Sequence, residues 1–277
     1  MEKKNVHIRE KSNHNLFNTI GFIGGGRITR IILGGFKNSG RINECNCTVS
    51  DKQPEVLENL KKQYKEITIT DDNKQSALSD IVFLAVHPPA IEEVANEVKY
   101  CLPQDKILIS LAPRFTIARL SGLLNGFNKI VRMIPNAPSI INSGYNPVHF
   151  SSVFTQTEKK ELLEIFSILG ESPEVEEEKL EAYAVLTAMG PTYFWFQLYE
   201  LHCIAKSFGL SEKESEEGII KTVCGAVKTI YKSGLSPSSV MDLIPVKPLG
   251  HQEENIRNIY NDCLKTVFKK LKGEKQC

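Results

Sequence analysis

The chain has 277 residues, 41% hydrophobic and 24% charged, with a formal net charge of +1. That size suits one large domain or two of ordinary size around a real core, and the balanced charge gives no electrostatic ground for nucleic acid or an anionic membrane as partner. No apolar run reaches membrane-spanning length and Met1-Glu2-Lys3-Lys4-Asn5 does not open a secretory signal, so a cytoplasmic location is expected. The seven cysteines are odd in number and form no C-x-x-C pair; they read as buried reduced thiols, with Cys45 and Cys47 on one face of a strand, and no metal site is expected.

Residues 1–17 are polar, carry His7 and His14, and read as a short extension. From Thr19 the pattern is β-α-β: a strand over Ile20–Ile23, a helix over Ile28–Lys37 and a strand over Asn46–Ser50. A polar helix (Pro54–Lys65), a brief strand (Thr68–Thr70) and the apolar burst Asp80–Val86 come next, the last typical of a strand buried on both faces. Ala90–Val98 is a helix, Lys106–Leu111 a strand, Thr116–Leu124 a helix, and Lys129–Ile134 closes the series. Such alternation predicts an α/β fold with a doubly wound, mostly parallel sheet over 18–152. Beyond it, Glu158–Leu169, Glu177–Phe208, Glu212–Ser233 and Glu253–Leu271 read as helices, with caps at Ser211 (Glu214 at N3) and Thr157. Residues 153–277 are therefore expected to form an all-helical domain. Its segment Ala182–Leu201, rich in aromatic residues, is too apolar for a surface and is expected to share a subunit interface with the domain core.

The strand-to-helix junction Gly24-Gly25-Gly26-Arg27-Ile28 carries the clearest chemistry. Glycines permit a tight turn and close approach of backbone to a pyrophosphate, while the helix start offers free N–H groups. The match to G-x-G-x-x-G is imperfect, because Thr29 stands where a third small residue belongs. Ligands of doubly wound sheets sit beyond the carboxyl ends of the strands. At the second strand end, Asp51 suits the ribose hydroxyls of NAD, whereas Ser50, Lys52 and Arg27 suit the 2′-phosphate of NADP; the two cations tip the balance to NADP, with NAD as the alternative. Ala85, Val86, His87 and Pro88 end the third strand, and Ala112 in Ser110-Leu111-Ala112-Pro113-Arg114 ends the fourth. His87 suits a general acid; its plainer reading is packing against cofactor beside Pro88 and Pro89. Asn136, in a rigid loop between two prolines, suits donation to a nicotinamide amide or to substrate, and His251 either faces a cleft or is simply exposed near a helix start. His149 and His202 have no partner at useful spacing and read as structural.

These segments, with Val131-Arg132-Met133-Ile134-Pro135-Asn136-Ala137-Pro138 and Gly190-Pro191-Thr192-Tyr193, resemble the pyrroline-5-carboxylate reductase family in order and over residues 19 to 272. The resemblance implies a Rossmann-like domain followed by a helical dimerisation domain, a homodimer or higher homo-oligomer, and reduction of a cyclic imine acid to L-proline by NADPH or NADH. By the same resemblance Met189, Gly190, Pro191, Lys247, His251 and Gln252 are substrate-binding candidates; His251 and His87 are the catalytic candidates on their own chemistry. The family's Ser-Gly-Ser is replaced by Thr187-Ala188-Met189, its Ser-Pro-Gly-Gly-Thr-Thr loop by Lys247-Pro248-Leu249-Gly250-His251-Gln252, and its lysine after Ala-Val by His87. Those departures keep two alternatives open: a related dehydrogenase acting on another imine or a hydroxy acid, and a non-catalytic nucleotide-binding scaffold or sensor.

Overall fold

Short apolar runs alternating with amphipathic stretches give, in this computed structural model, a sheet wrapped by helices and then helices alone. The structure describes residues 17–273, so all of the 1–17 extension but Phe17, with His7, His14 and also Cys277, lies outside the described residues. The elements run β1 (Thr19–Ile23), α1 (Arg27–Ser39), β2 (Asn46–Ser50), α2 (Pro54–Gln63), β3 (Thr68–Thr70), α3 (Asn73–Ala77), β4 (Ile81–Leu84), α4 (Ile91–Val98), β5 (Ile107–Ser110), α5 (Ile117–Leu123) and β6 (Ile130–Met133). Then follow β7 (Gly144–Tyr145), β8 (Val148–Phe150), α6 (Gln156–Ser167), β9 (Gly170–Glu171), α7 (Leu180–Tyr183), α8 (Gly190–Ser207), α9 (Glu212–Lys232), α10 (Pro237–Met241) and α11 (Glu253–Lys272). Two units result, one ending at Tyr183 and the other beginning at Ala184. α6 and β9, which follow residue 152, belong to the first.

The main sheet has the order β3-β2-β1-β4-β5-β6-β8. All its pairs are parallel except β6 with β8. Side chains alternate across a strand, so Ile20 and Phe22 join Ile32, Leu33, Phe36, Leu60, Leu162 and Phe166 in one core. Ile23 turns to the opposite face with Val82, Leu84, Val94, Leu108, Leu120 and Ile130. Phe22 and Phe83, partners in register, stack with ring centroids 4.9 Å apart. At the amino ends of the strands Asp80 Oδ2 accepts from Asn18 N and Thr19 N, while its Oδ1 takes Lys106 Nζ at 2.9 Å. That carboxylate ties β1, β4 and β5 together at their amino ends.

Several sequence expectations need correction. Lys129–Ile134 does not close the sheet, because β8 adds an antiparallel edge with Arg132 opposite His149. Short helices α3 and α10 and the β7–β9 pair were not expected from periodicity. The helix start near Glu158 is capped from Thr155 and not Thr157: Thr155 Oγ1 accepts from Glu158 N while Glu158 Oε2 accepts from Thr155 N, a full capping box. The box expected at Ser211 and Glu214 is present. Glu177–Phe208 is not one helix. A 3₁₀ turn and α7 lead into a π turn over Ala184–Ala188, and α8 then restarts with Pro191 in its first turn. Proline has no N–H to give and its ring collides with the carbonyl four residues back, so a helix cannot run through it unbroken, whereas the first turn accepts it.

Cys45 lies just before β2 and not on it, yet its Sγ stands 3.5 Å from that of Cys47. Cys203, Cys224 and Cys263 are exposed, contrary to the expectation of buried thiols, because they sit on the helices of the second unit. In that unit only Ala184, Val185, Gly190 and Ser215 are buried among the described residues. Phe194, Trp195, Phe196 and Tyr199 of α8 lie uncovered in the single chain. No helix among the described residues is long and apolar enough to cross a membrane.

The first unit also sets an acid limit. Glu158 binds Lys129 Nζ at 2.6 Å, and this contact, with the Thr155 backbone donor, lowers its carboxyl from an ordinary 4.5 to about 2. A depressed carboxylate pKa stabilises the fold fully above the unfolded value and loses that contribution as pH falls through the folded one. Chemical denaturation from pH 6 to pH 2 is therefore expected to show stability declining most below pH 4.5. Glu158→Gln should be less stable at pH 6 and show a shallower decline; an unchanged slope would refute the assignment.

Candidate dinucleotide site

The carboxyl ends of β1, β2 and β4 converge on one turn. Gly24 takes φ +104, and a β-carbon there would stand 2.8 Å from Ala85 O and 3.1 Å from Val86 Cγ1. Its N–H donates to Ser50 O at 2.8 Å, while Ala85 N donates to Ile23 O at 2.8 Å. Gly25 N donates to Asp51 Oδ2 at 2.8 Å, and Asp51 Oδ1 accepts from Gln53 N at 2.9 Å. Gly26 opens α1 without a side-chain cap, nothing lies within 4 Å of where its β-carbon would be, and the first turn holds no acidic residue. Unpaired donors at an uncapped helix start, with open space beside them, suit an anion. Thr29 is fully buried and its hydroxyl donates to Gly24 O. The residue that broke the glycine pattern thus closes the turn by its own hydrogen bond.

Other candidates of the first unit are distributed as follows. Ile28 is half-buried against the core, and Arg27 is exposed at the helix start. Ala85 and Val86 are half-buried; His87 is exposed and leads into the 3₁₀ turn Pro88–Ala90. Ala112 is buried at the end of β5, and Asn136 is buried with its N–H on Asn146 Oδ1 at 2.8 Å. Two cofactor candidates are otherwise engaged. Ser50, on the face of β2 opposite Val49, is fully buried and its hydroxyl donates to Phe22 O at 3.3 Å, which withdraws it from a ribose phosphate. Lys52 pairs with Glu97 at 3.0 Å. Arg27 is left as the exposed cation of the glycine turn.

In the second unit Met189 closes the π turn, and Gly190 and Pro191 begin α8. Lys247, His251 and Gln252 are exposed, the last two in the 3₁₀ turn Gly250–Gln252 before α11. His87 and His251 belong to different units. His149 Nδ1 meets Val175 O at 2.8 Å, and His202 Nε2 lies 3.1 Å from Glu212, a partner the spacing did not reveal.

Sequence reasoning missed two buried polar groups behind the strand ends. Arg132 on β6 is 1% exposed; its Nη2 donates to Glu181 at 2.7 Å and its Nη1 to Glu177 at 3.1 Å. Burial pushes the Glu181 carboxyl up, but the Arg132 guanidinium and backbone donors outweigh that and hold it below the usual range. Asn146, fully buried, accepts from Asn136 N and Ser139 Oγ and so fixes the Pro135–Pro138 loop. Neither partner set is adjacent in sequence, so no local signal marked them.

Comparison with known proteins bears on this geometry. A family model described as NADP oxidoreductase, coenzyme F420-dependent, matches residues 19–114. The chain is 26% identical over 238 residues to the pyrroline-5-carboxylate reductase of Escherichia coli, covering 86% of this chain and 88% of that one. It is 25% identical over 249 residues to the Methanosarcina acetivorans enzyme of the same name, covering 90% and 92%. The solved pyrroline-5-carboxylate reductase of Coxiella burnetii superposes with a TM-score of 0.69 at 27% identity, over 95% of this chain and 100% of that one. The chain is thus similar to pyrroline-5-carboxylate reductases over most of its length, and its first unit to NADP oxidoreductases. The Plasmodium falciparum pyrroline carboxylate reductase, solved with NADP bound, shares the fold at a TM-score of 0.76 and 23% identity over 93% of this chain and 97% of that one. An NADP-type dinucleotide fits the first unit of this reductase-like chain: Gly26 leaves space, α1 offers uncapped N–H groups, and Arg27 supplies a cation.

Replacing either glycine separates two effects. Gly24→Ala is expected to lower the thermal midpoint, since a β-carbon meets Ala85 backbone at positive φ. Gly26→Ala meets nothing and keeps φ near −70°, so the midpoint should hold while NADP affinity falls at least tenfold. Calorimetric titration with NADP alongside thermal unfolding checks both; full affinity in Gly26→Ala would remove the anion from this turn.

Proposed function

We propose that this chain is an NAD(P)H-dependent reductase that transfers a hydride to a small cyclic imine acid, with 1-pyrroline-5-carboxylate to L-proline the reaction that fits best. NADPH is the proposed donor and NADH the alternative. The observation that carries the reading is the collinear likeness to pyrroline-5-carboxylate reductases through both units, joined to a glycine turn shaped for a dinucleotide.

The bound nicotinamide would supply the hydride. The chain's own part is to bind, orient and donate a proton. Gly26, Arg27 and Ile28 hold the phosphates through backbone N–H groups, Gly24 and Gly25 shape the turn that lets them approach, and Asp51 fixes the turn and faces the ribose end. Ala85, Val86, His87, Pro88, Ala112 and Asn136 line the course of the second nucleotide half. Addition of hydride to the imine carbon leaves the nitrogen one proton short, and His251 or His87 is the proposed donor. Met189, Gly190, Pro191, Lys247 and Gln252 are the proposed substrate contacts. The uncovered aromatic face of α8, together with exposed Val223, Val227 and Tyr231 of α9, is proposed to be buried in a homodimer.

A second reading has its own support. Thr187-Ala188-Met189 keeps one hydroxyl where the resemblance implies two, and Lys247–Gln252 lacks the hydroxyls and the glycine pair that it implies for the substrate end. Loss of donors to a buried polar ligand costs about 1–3 kcal/mol each, which favours a different imine or a hydroxy acid as substrate. Steady-state assays with 1-pyrroline-5-carboxylate and each nicotinamide decide between them. Turnover is expected with NADPH; none with either cofactor, despite measurable dinucleotide binding, would eliminate this substrate and retain the reductase class.

A further inference from the structure

The loop after β5 carries an arginine in a conformation that arginine seldom adopts. Arg114 has φ 75, and the other non-glycine residues at positive φ among the described residues are Asn125 and Asn142. Asparagine tolerates that region through its short amide; a long side chain does not, and such strain persists only where neighbours over-determine the backbone. Here the neighbours are two carboxylates. Arg114 N donates to Glu181 Oε1 at 3.3 Å, and Ile117 N donates to Glu177 Oε1 at 2.7 Å. Both carboxylates are anchored in turn by Arg132. Their charge is occupied by Arg132 and by loop backbone, while the Arg114 side chain is exposed and pairs with no carboxylate among the described residues. Arg119, five residues on, is by contrast paired with Glu92 at 2.7 Å.

Location gives this cation a purpose. The strand order β2-β1-β4-β5 places the reversal of connection between β1 and β4, where a dinucleotide crosses. With the Asp51 end at β2 reading the adenosine ribose, the reactive half lies on the side of β4 and β5. The end of β5 is two strands from the glycine turn, roughly 10 Å at about 4.8 Å per strand. A guanidinium offers the planar fork that matches a carboxylate.

We propose that Arg114 binds the carboxylate of the substrate and thereby restricts this reductase to anionic substrates. The inference rests on the reductase reading above. It also accounts for the loss of hydroxyls at 247–252, since a carboxylate held by Arg114 does not need them.

The test compares wild type with Arg114→Gly and Arg114→Lys. Glycine accepts the positive φ, so Arg114→Gly keeps the fold and its thermal midpoint should not drop. Calorimetry on the NADP-loaded protein uses L-proline and its neutral counterpart L-prolinamide as probes. L-Proline affinity should fall at least tenfold in Arg114→Gly and less in Arg114→Lys, with prolinamide and NADP affinities unchanged. Where 1-pyrroline-5-carboxylate is turned over, KM should rise at least tenfold with little change in kcat. Turnover with the same KM in all three proteins overturns the inference and leaves the reductase reading standing. Arg114-dependent proline binding without turnover supports the inference and sinks the reading, and a wild type that neither binds a carboxylate nor turns over sinks both.

Discussion

Three strands of the first unit can end together only because Gly24 has no side chain. Its backbone lies where a β-carbon would touch the Ala85 carbonyl, so β1 and β4 deliver their ends to the same place and α1 can leave between them. The Gly24 N–H on Ser50 O and the Gly25 N–H on Asp51 add β2 to the junction. The direction of α1, the position of Arg27 and the switch between the two halves of the sheet all follow from that approach. Asp51 shows how tightly the parts are used: one carboxylate oxygen holds the glycine turn and the other starts α2 through Gln53.

Behind the remaining strand ends the constraint is electrostatic. A guanidinium with almost no exposure needs its charge matched, and Arg132 takes two carboxylates from a segment far along the chain. Removing one partner of such a pair leaves an uncompensated buried charge, which costs more than the pair itself contributes. The segment Glu177–Glu181 is thereby bound to the sheet and to the loop after β5 at once, which makes the ion pair a clamp on loop geometry as well as a contribution to stability.

Local patterns made much of this legible. Strands buried on both faces read as apolar runs, so β1, β2 and β4 to β6 stand in the sequence within a residue or two of their place, and the glycine run announces its turn. What depends on partners distant in sequence did not show. β8 is three residues long and exists because β6 offers an edge. Arg132 meets carboxylates 45 and 49 residues away, and Ser50 turned inward because strand parity, which the motif ignores, put it opposite Val49. The break before α8 was written in Pro191, but the unbroken apolar character of Ala182–Leu201 masked it. In the candidate site the phosphate end was therefore far more readable than the substrate end, whose residues divide between the break before α8 and an exposed stretch before α11, neither with a periodicity of its own.

α1 does more than begin the anion site. Its later half lies against the turn Ala137–Ile141: a β-carbon on Gly34 would stand 2.6 Å from Ile140 Cγ1 and one on Gly35 2.5 Å from Ser139 O, while Asn142 Nδ2 donates to Gly35 O at 2.8 Å. The loop bearing Asn136 is thus seated on the same helix whose first residue follows the glycine turn. From Arg27 to Gly35 the rise is about 12 Å at 1.5 Å per residue. The helix acts as a ruler: it sets the distance between those two loops by counting residues, and changes in loop sequence leave that distance alone.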